Sequence, residues 1–165
     1  MRPPEGHVLS FADLSSFCAT RRAAGEKLAL TNGCFDVLHA GHIQLLRQAA
    51  AQADVLIVGV NDDAAVRALK GPDRPLVRLE DRLQILAAVR WVDAVVSFPQ
   101  HTAGVLIERV RPDVYVKGAD YDPAQAGQQL PELATLERLG IPARYVPLLE
   151  GRSTRELLAR AQQQR

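Results

Sequence analysis

Strands and helices alternate along this chain from Leu28 onward, and the alternation predicts an α/β fold built on one open parallel sheet with helices on both faces. Three observations carry that prediction. Val55 to Val60 is an unbroken apolar run, as expected of a strand covered on both sides. From Gly41 to Ala53 the set His42, Leu45, Leu46, Ala49, Ala50 and Ala53 recurs at helical spacing. No repeat, low-complexity tract or linker breaks the pattern, and 165 residues suit a single domain, 1–165, with 1–27 as its lead-in.

Taken in order, Phe11 to Ala24 reads as a leading helix. Leu28 to Thr31 is a short apolar run that enters a turn at Asn32-Gly33. After the helix from Gly41 and the strand from Val55, Asn61-Asp62-Asp63 supplies the cap of a helix through about Leu69. Beyond the Lys70–Pro75 loop, Leu79 to Arg90 is predicted helical, Val92 to Phe98 holds a strand, and Thr102 to Arg109 is a further helix. Asp113 to Val116 is a strand running into Lys117-Gly118, Pro131 to Leu139 a helix, and Arg144 to Val146 a short strand. Ser153 to Gln162 closes the chain as a helix. In sheets of this kind ligands bind beyond the carboxyl ends of the strands, where the strand order switches. The turns of interest therefore follow Leu30, Val60, Val116 and Val146.

Composition narrows the function. Net charge is +1, so no broad positive footprint calls for nucleic acid or an anionic membrane. No run of about 18 apolar residues exists, and Met1 to Ser10 lacks a signal-peptide apolar region. A soluble, cytoplasmic protein is expected. Cys18 and Cys34 lie in unlike contexts with no metal-ligand spacing, which suits a reducing compartment. The chain has 17 arginines but only three lysines: Lys27, Lys70 and Lys117. The last two fall in segments singled out below.

The first turn runs Asn32-Gly33-Cys34-Phe35-Asp36-Val37-Leu38-His39-Ala40-Gly41-His42. Two histidines straddle the start of a helix with Gly41 between them. A helix N-terminus carries free N–H groups and the positive end of the dipole, so it favours phosphate. Imidazoles there donate hydrogen bonds to a phosphate chain, and Gly41 lets the backbone approach it. The plainer reading of His42 is a core histidine on the stripe of Leu45 and Leu46. Asp36, read from the residues, either orients the loop through backbone hydrogen bonds, which is the favoured reading, or influences a histidine's charge state. Cys34 reads as a small packing residue.

This stretch resembles the HxGH signature of the nucleotidyltransferase superfamily related to class I aminoacyl-tRNA synthetases. Val60-Asn61-Asp62-Asp63, Leu69-Lys70-Gly71, Arg74-Pro75, Glu80-Asp81-Arg82, Val92-Asp93, Val116 to Tyr121 and Glu150 to Thr154 follow in the same order. Within the superfamily the chain is most similar to the D-glycero-β-D-manno-heptose 1-phosphate adenylyltransferases, as a stand-alone domain, over roughly Leu28 to Ala161. The resemblance implies a Rossmann-like sheet and transfer of AMP from ATP to a sugar phosphate, with release of pyrophosphate. It implies Mg²⁺ as the partner of the triphosphate and a homodimer as the assembly, and it names no protein ligand for a metal.

The resemblance also assigns residues. His39, His42, Lys70, Ser153 and Thr154 become the catalytic set that holds and neutralises the phosphates. Asn32, Gly33, Cys34, Phe35, Gly41, Asn61, Gly118, Asp120, Gly151 and Arg152 become nucleotide contacts. Asp36, Arg82, Arg90 and Lys117 become acceptor contacts. Bland alternatives stand beside several of these: Lys70 as a solvated loop lysine, Ser153-Thr154 as a plain N-cap, and Arg82 and Arg90 as members of helix caps and short-range ion pairs. The chain has Ser153-Thr154-Arg155 where the family usually has Ser-Thr-Thr, so Arg155 either replaces a hydroxyl contact or faces solvent.

Two other readings compete. Glycerol-3-phosphate cytidylyltransferase has Arg-Thr where this chain has Leu148-Leu149, and apolar residues cannot make those contacts. A non-catalytic nucleotide-binding module is disfavoured because both histidines and Lys70 are present.

Overall fold

The structure, a computed structural model, describes residues 6–125, 129–147, 149, 151 and 154–163. Its strands are β1 (His7–Leu9), β2 (Leu28–Gly33), β3 (Val55–Asn61), β4 (Ala94–Phe98), β5 (Val114–Gly118) and β6 (Ala143–Val146). The helices are α1 (Leu14–Ala23), α2 (Ala40–Ala50), α3 (Asp63–Lys70), α4 (Leu79–Ala87), α5 (Gly104–Val110), α6 (Leu133–Leu139) and α7 (Thr154–Gln163). Two 3₁₀ turns, Ala119–Tyr121 and Pro123–Gln125, follow β5.

The sheet runs β1-β4-β3-β2-β5-β6 and every pairing is parallel, as the alternation predicted. From β2 the chain moves outward through β3 to β4, then returns to the other side of β2 for β5 and β6. The switch in strand order therefore lies between β2 and β5.

Strand alternation divides the interior in two. Leu28 and Leu30 of β2, Val55 and Ile57 of β3, and Tyr115 of β5 pack with α1, α5 and α6. Ala29, Leu56, Val58, Val60, Val114 and Val116 face the opposite way, onto α2 and α4. Each fully buried Leu or Ile adds about 1.5–3 kcal/mol relative to exposure. Gly59 lets β3 approach α5: a Cβ there would come within 2.3 Å of a Leu106 methyl.

Three features depart from the sequence reading. β1 was not foreseen. It is three residues long and mostly exposed, too short to show a period, and it exists through its parallel register His7 to Ala94 on β4. Asn32 and Gly33, expected in a turn, continue β2 and pair with Gly59 and Val60. The turn comes later, at Phe35, whose φ of 47° lies in the left-handed region. Finally, α4 stops at Ala87, short of Arg90, because Val89 N–H and Val92 N–H close tight turns onto Leu86 and Val89. Among the described residues no helix is long and apolar enough to cross a membrane.

Candidate active site

Elements from both sides of the strand switch meet at its carboxyl edge. His39 is the N-cap of α2 in extended backbone, and Gly41 and His42 lie in the first turn. The two imidazoles stack, with ring centroids 3.8 Å apart at 27°. Phe35 is buried and tilts its ring onto His42 at 5.2 Å. Its left-handed backbone costs about 1–2 kcal/mol, and the gain is a floor under the imidazole. Burial first, and the His39 charge second, lower the His42 pKa to about 4. His42 is therefore neutral at neutral pH. Its Nδ1 is buried without a hydrogen-bond partner, as suits a group whose partner is a ligand.

The cations approach from two elements. Lys70 is exposed at the end of α3, ahead of Gly71, whose φ of 109° turns the chain into the loop. Its charge is felt at Cys34 and at Lys117. Lys117 ends β5 as a buried residue, donates to the Asn32 carbonyl at 3.2 Å, and lies 5.0 Å from the Tyr121 ring centroid. Gly118 and Asp120 lead into the 3₁₀ turn beside it, and the Asp120 charge helps keep Lys117 protonated. Thr154 opens α7 and its hydroxyl donates to the Val37 carbonyl at 3.4 Å, so the head of α7 rests on the histidine loop. Gly151 precedes it with φ 67°. Arg152 and Ser153, with the side chain of Arg155, lie outside the described residues, as do Leu148 and Glu150.

Several residues assigned by resemblance have other work. Arg82 is 0% exposed and spends its guanidinium inside the protein. Nε donates to Val77 O at 3.0 Å, one terminal nitrogen to Cys34 O at 2.6 Å and Asn61 O at 2.8 Å, and the other to Asp63 at 2.7 Å. It clamps the ends of β2 and β3 to the start of α3, and the expectation of an acceptor contact is corrected accordingly. Asp36, 4% exposed, pairs with Arg74 and accepts Leu76 N–H at 2.7 Å and Val77 N–H at 2.9 Å. That is the loop-orienting role read from the residues, and it leaves the carboxylate nothing for an acceptor. Asn61 is buried and donates to Gln100 O at 3.0 Å, so it ties β3 to the loop after β4 rather than facing a nucleotide. Arg90 is exposed and lies over Trp91, just before β4. Cys34 gives its carbonyl to Arg82, and burial pushes its thiol up, so it stays protonated.

Sequence reasoning overlooked Arg74, Tyr115 and Glu132 as parts of the site's frame. Arg74 was noted only as part of a motif. Glu132 follows Pro131 at a helix start, a position that reads as an ordinary surface acid, and nothing local reveals its burial.

A family model described as cytidylyltransferase-like matches residues 30–154. The chain is 46% identical over 160 residues to the "Bifunctional protein HldE" of Pseudomonas paraeruginosa, covering 96% of this chain and 33% of that protein. It is 49% identical over 140 residues to the protein of the same name from Halorhodospira halophila, covering 84% of this chain and 28% of that one. The chain thus spans about a third of the length of the curated relatives it matches. Among solved structures, the lipopolysaccharide core biosynthesis protein from Thermoplasma volcanium superposes with a TM-score of 0.61 at 26% identity, over 76% of this chain and 98% of that one. With the HxGH pair at the head of α2 and the sheet order that sets it there, the chain belongs to the cytidylyltransferase-like family of nucleotidyltransferases.

Proposed function

We propose that the protein transfers AMP from ATP to D-glycero-β-D-manno-heptose 1-phosphate, forming ADP-heptose and pyrophosphate. The observation that carries this reading is the stacked His39–His42 pair on the N-terminus of α2, met by Lys70, Lys117 and the head of α7. That is a cradle for a polyphosphate, built where the strand order switches. The relatives carry the name HldE, and the structural neighbour is named for lipopolysaccharide core synthesis. Both names support a sugar phosphate as acceptor over glycerol 3-phosphate.

In the proposed reaction an acceptor phosphate oxygen attacks the α-phosphorus of ATP. The new P–O bond forms as the bond to the β-phosphate bridge breaks, and pyrophosphate leaves. Nothing in this displacement needs covalent help from the protein; it needs alignment and donors fixed where charge grows. Neutral His42 offers one N–H to the phosphates without the cost of desolvating a cation. His39, beside it at the cap, offers another. Lys70, on its mobile-length side chain, supplies charge from solvent, and Lys117 supplies it from the floor. The family's usual Mg²⁺ belongs to this proposal. Among the described residues no group of three His, Cys, Asp or Glu could hold a metal ion; in the proposal the ion travels on the triphosphate and keeps several of its waters. Its contribution when bound is to neutralise phosphate charge. A homodimer and a cytoplasmic location are parts of the same proposal, checked by sedimentation and by cell fractionation.

The test is a pyrophosphate-release assay pairing ATP or CTP with heptose 1-phosphate or glycerol 3-phosphate. Turnover with ATP and the heptose is expected. Efficient CDP-glycerol formation would instead identify a glycerol-3-phosphate cytidylyltransferase.

A further inference from the structure

At the switch in strand order the sheet comes apart, and side chains span the opening. The register of β2 with β5 joins Ala29 to Val114 and Leu30 to Tyr115, and ends there. Beyond it Thr31, Asn32 and Gly33 pair with β3, while Val116, Lys117 and Gly118 pair with β6. Asn32 therefore stands where β2 has left β5, and its groups on that side need partners other than a ladder.

Two β5 side chains supply them. The Tyr115 hydroxyl donates to the Asn32 side-chain oxygen, and Lys117 Nζ donates to the Asn32 main-chain carbonyl at 3.2 Å. All three residues are buried, Tyr115 completely. Tyr115 and Lys117 lie two apart on one strand and so share a face. Alternation from Leu28 and Leu30 puts Asn32 on that same face, the one covered by α1, α5 and α6. Gly59 of β3 leaves room for it, since a Cβ there would come within 3.2 Å of the Asn32 Cβ. The histidine pair belongs to α2, which covers the opposite face. The opening thus has two walls, imidazoles at a helix N-terminus on one and Asn32 with Lys117 on the other.

A phenol has one proton to give. Burial holds that of Tyr115 well above the usual phenol range, so the hydroxyl stays a donor. With its oxygen engaged, the Asn32 carboxamide is held in one orientation and its NH₂ group is left over. That group donates to no described residue, and Asn32 keeps 7% of its surface open. An amide donor so enclosed calls for an acceptor oxygen. Beside a lysine cation, it suits a phosphorylated ligand rich in hydroxyls.

We propose that Tyr115 is a positioning residue acting through Asn32: its hydroxyl fixes the carboxamide so that the NH₂ group, beside Lys117, donates to an oxygen of the acceptor sugar phosphate. Tyr115 itself touches no substrate. Asn32, which the resemblance places among the nucleotide contacts, becomes an acceptor contact. That assignment to the acceptor rests on the reaction proposed above; the hold of Tyr115 on Asn32 does not.

Tyr115→Phe removes one oxygen and keeps the ring. It is expected to raise the KM for heptose 1-phosphate roughly five- to tenfold, the scale of one hydrogen bond, with the KM for ATP held within about twofold. Asn32→Ala should raise the acceptor KM further, and adding Tyr115→Phe to it should change nothing more, because the group that Tyr115 holds is gone. Asn32→Asp keeps the oxygen that Tyr115 holds and loses the donors, so it should be as poor as Asn32→Ala. Additive effects in this cycle overturn the inference. So does a KM change no larger for the acceptor than for ATP, or an Asn32→Asp enzyme that behaves as wild type. Asn32→Ser takes the place of Asn32→Ala if the alanine variant does not fold.

The chain has only two asparagines, Asn32 and Asn61, so protein labelled with ¹⁵N at asparagine gives two side-chain amide pairs. That of Asn32 is assigned by its loss in Asn32→Ser. Without substrate, Tyr115→Phe should move the Asn32 pair, and an unmoved pair overturns the hold. Wild-type protein that turns over no triphosphate and acceptor pair overturns the proposed reaction instead, and this spectrum still decides whether Tyr115 holds Asn32.

Discussion

His42 joins two properties that oppose each other, a polar ring in the business end of the protein and an apolar berth beneath it. Stacked on His39 and floored by Phe35, it protonates only near pH 4. Its folded pKa lies below the ordinary value of 6.5, so the unfolded chain takes up the proton first on acidification. The contribution to stability is therefore complete above about pH 6.5 and drains away as pH falls toward 4. Histidine NMR alongside thermal melts over that range checks it, and a free-protein midpoint near 6.5 would reject the dry, stacked pair. Bound triphosphate should raise the midpoint, because an anion favours the charged imidazole. Truncation of either ring should cut turnover by two to three powers of ten, the scale of losing one transition-state donor, with much smaller changes in melting temperature. Near-normal kcat in both His39→Ala and His42→Ala would remove the pair from the mechanism. The histidines were legible because their spacing across a helix start is a local signal. The competing reading of His42 as a core residue meets the same side chain, since the ring is half-buried against Phe35 and stacks on His39.

Between elements, the site is held by side chains that local sequence could not sort. Arg82 and Asp36 lie in motifs shared with ligand-binding relatives, and a charged residue in such a motif reads first as a contact. Only the fold shows that Arg82 is wholly enclosed and that Asp36 closes the 74–77 loop. Long-range partners decided both cases: Arg82 reaches back to Cys34 and Asn61, Asp36 forward to Arg74. Arg82→Met should destabilise by about 3 kcal/mol, because Asp63 and the carbonyls of Val77, Cys34 and Asn61 lose their donor. Chemical denaturation measures this, and a loss below about 0.5 kcal/mol would show that the clamp is dispensable. Asp36→Ala frees the loop that follows Lys70 and Gly71. Its expected signature is a raised KM for ATP with a smaller change in kcat, since Lys70 then samples positions away from the phosphates. An unchanged KM would separate Lys70 from that loop.

At the scale of the whole molecule, the fold was readable because each long element carries its own period and each parallel crossover demands a helix. What escaped was β1, a three-residue edge strand specified by its partner β4 rather than by its own residues. The same scale sets base and acceptor choice, which no single side chain fixes. Leu149 turns an exposed face toward Ala40, Ile43, Gln44, Arg47 and Trp91, along the flank of α2. It thus offers no polar atom to a nucleobase, where the cytidylyltransferase pattern has a polar residue. A base whose polar edge is desolvated without partners loses free energy, and cytosine recognition by that pattern depends on those side chains. Adenine can be read by main-chain groups and by packing, which this framework retains. We therefore expect kcat/KM to favour ATP over CTP by at least tenfold, about 1.4 kcal/mol of differential transition-state binding. Competition between the two triphosphates, with heptose 1-phosphate and glycerol 3-phosphate each supplied in turn, measures both choices at once. Equal use of CTP would mean that bases are discriminated elsewhere than at the Leu148-Leu149 position, and a preference for glycerol 3-phosphate would reverse the assignment of the acceptor.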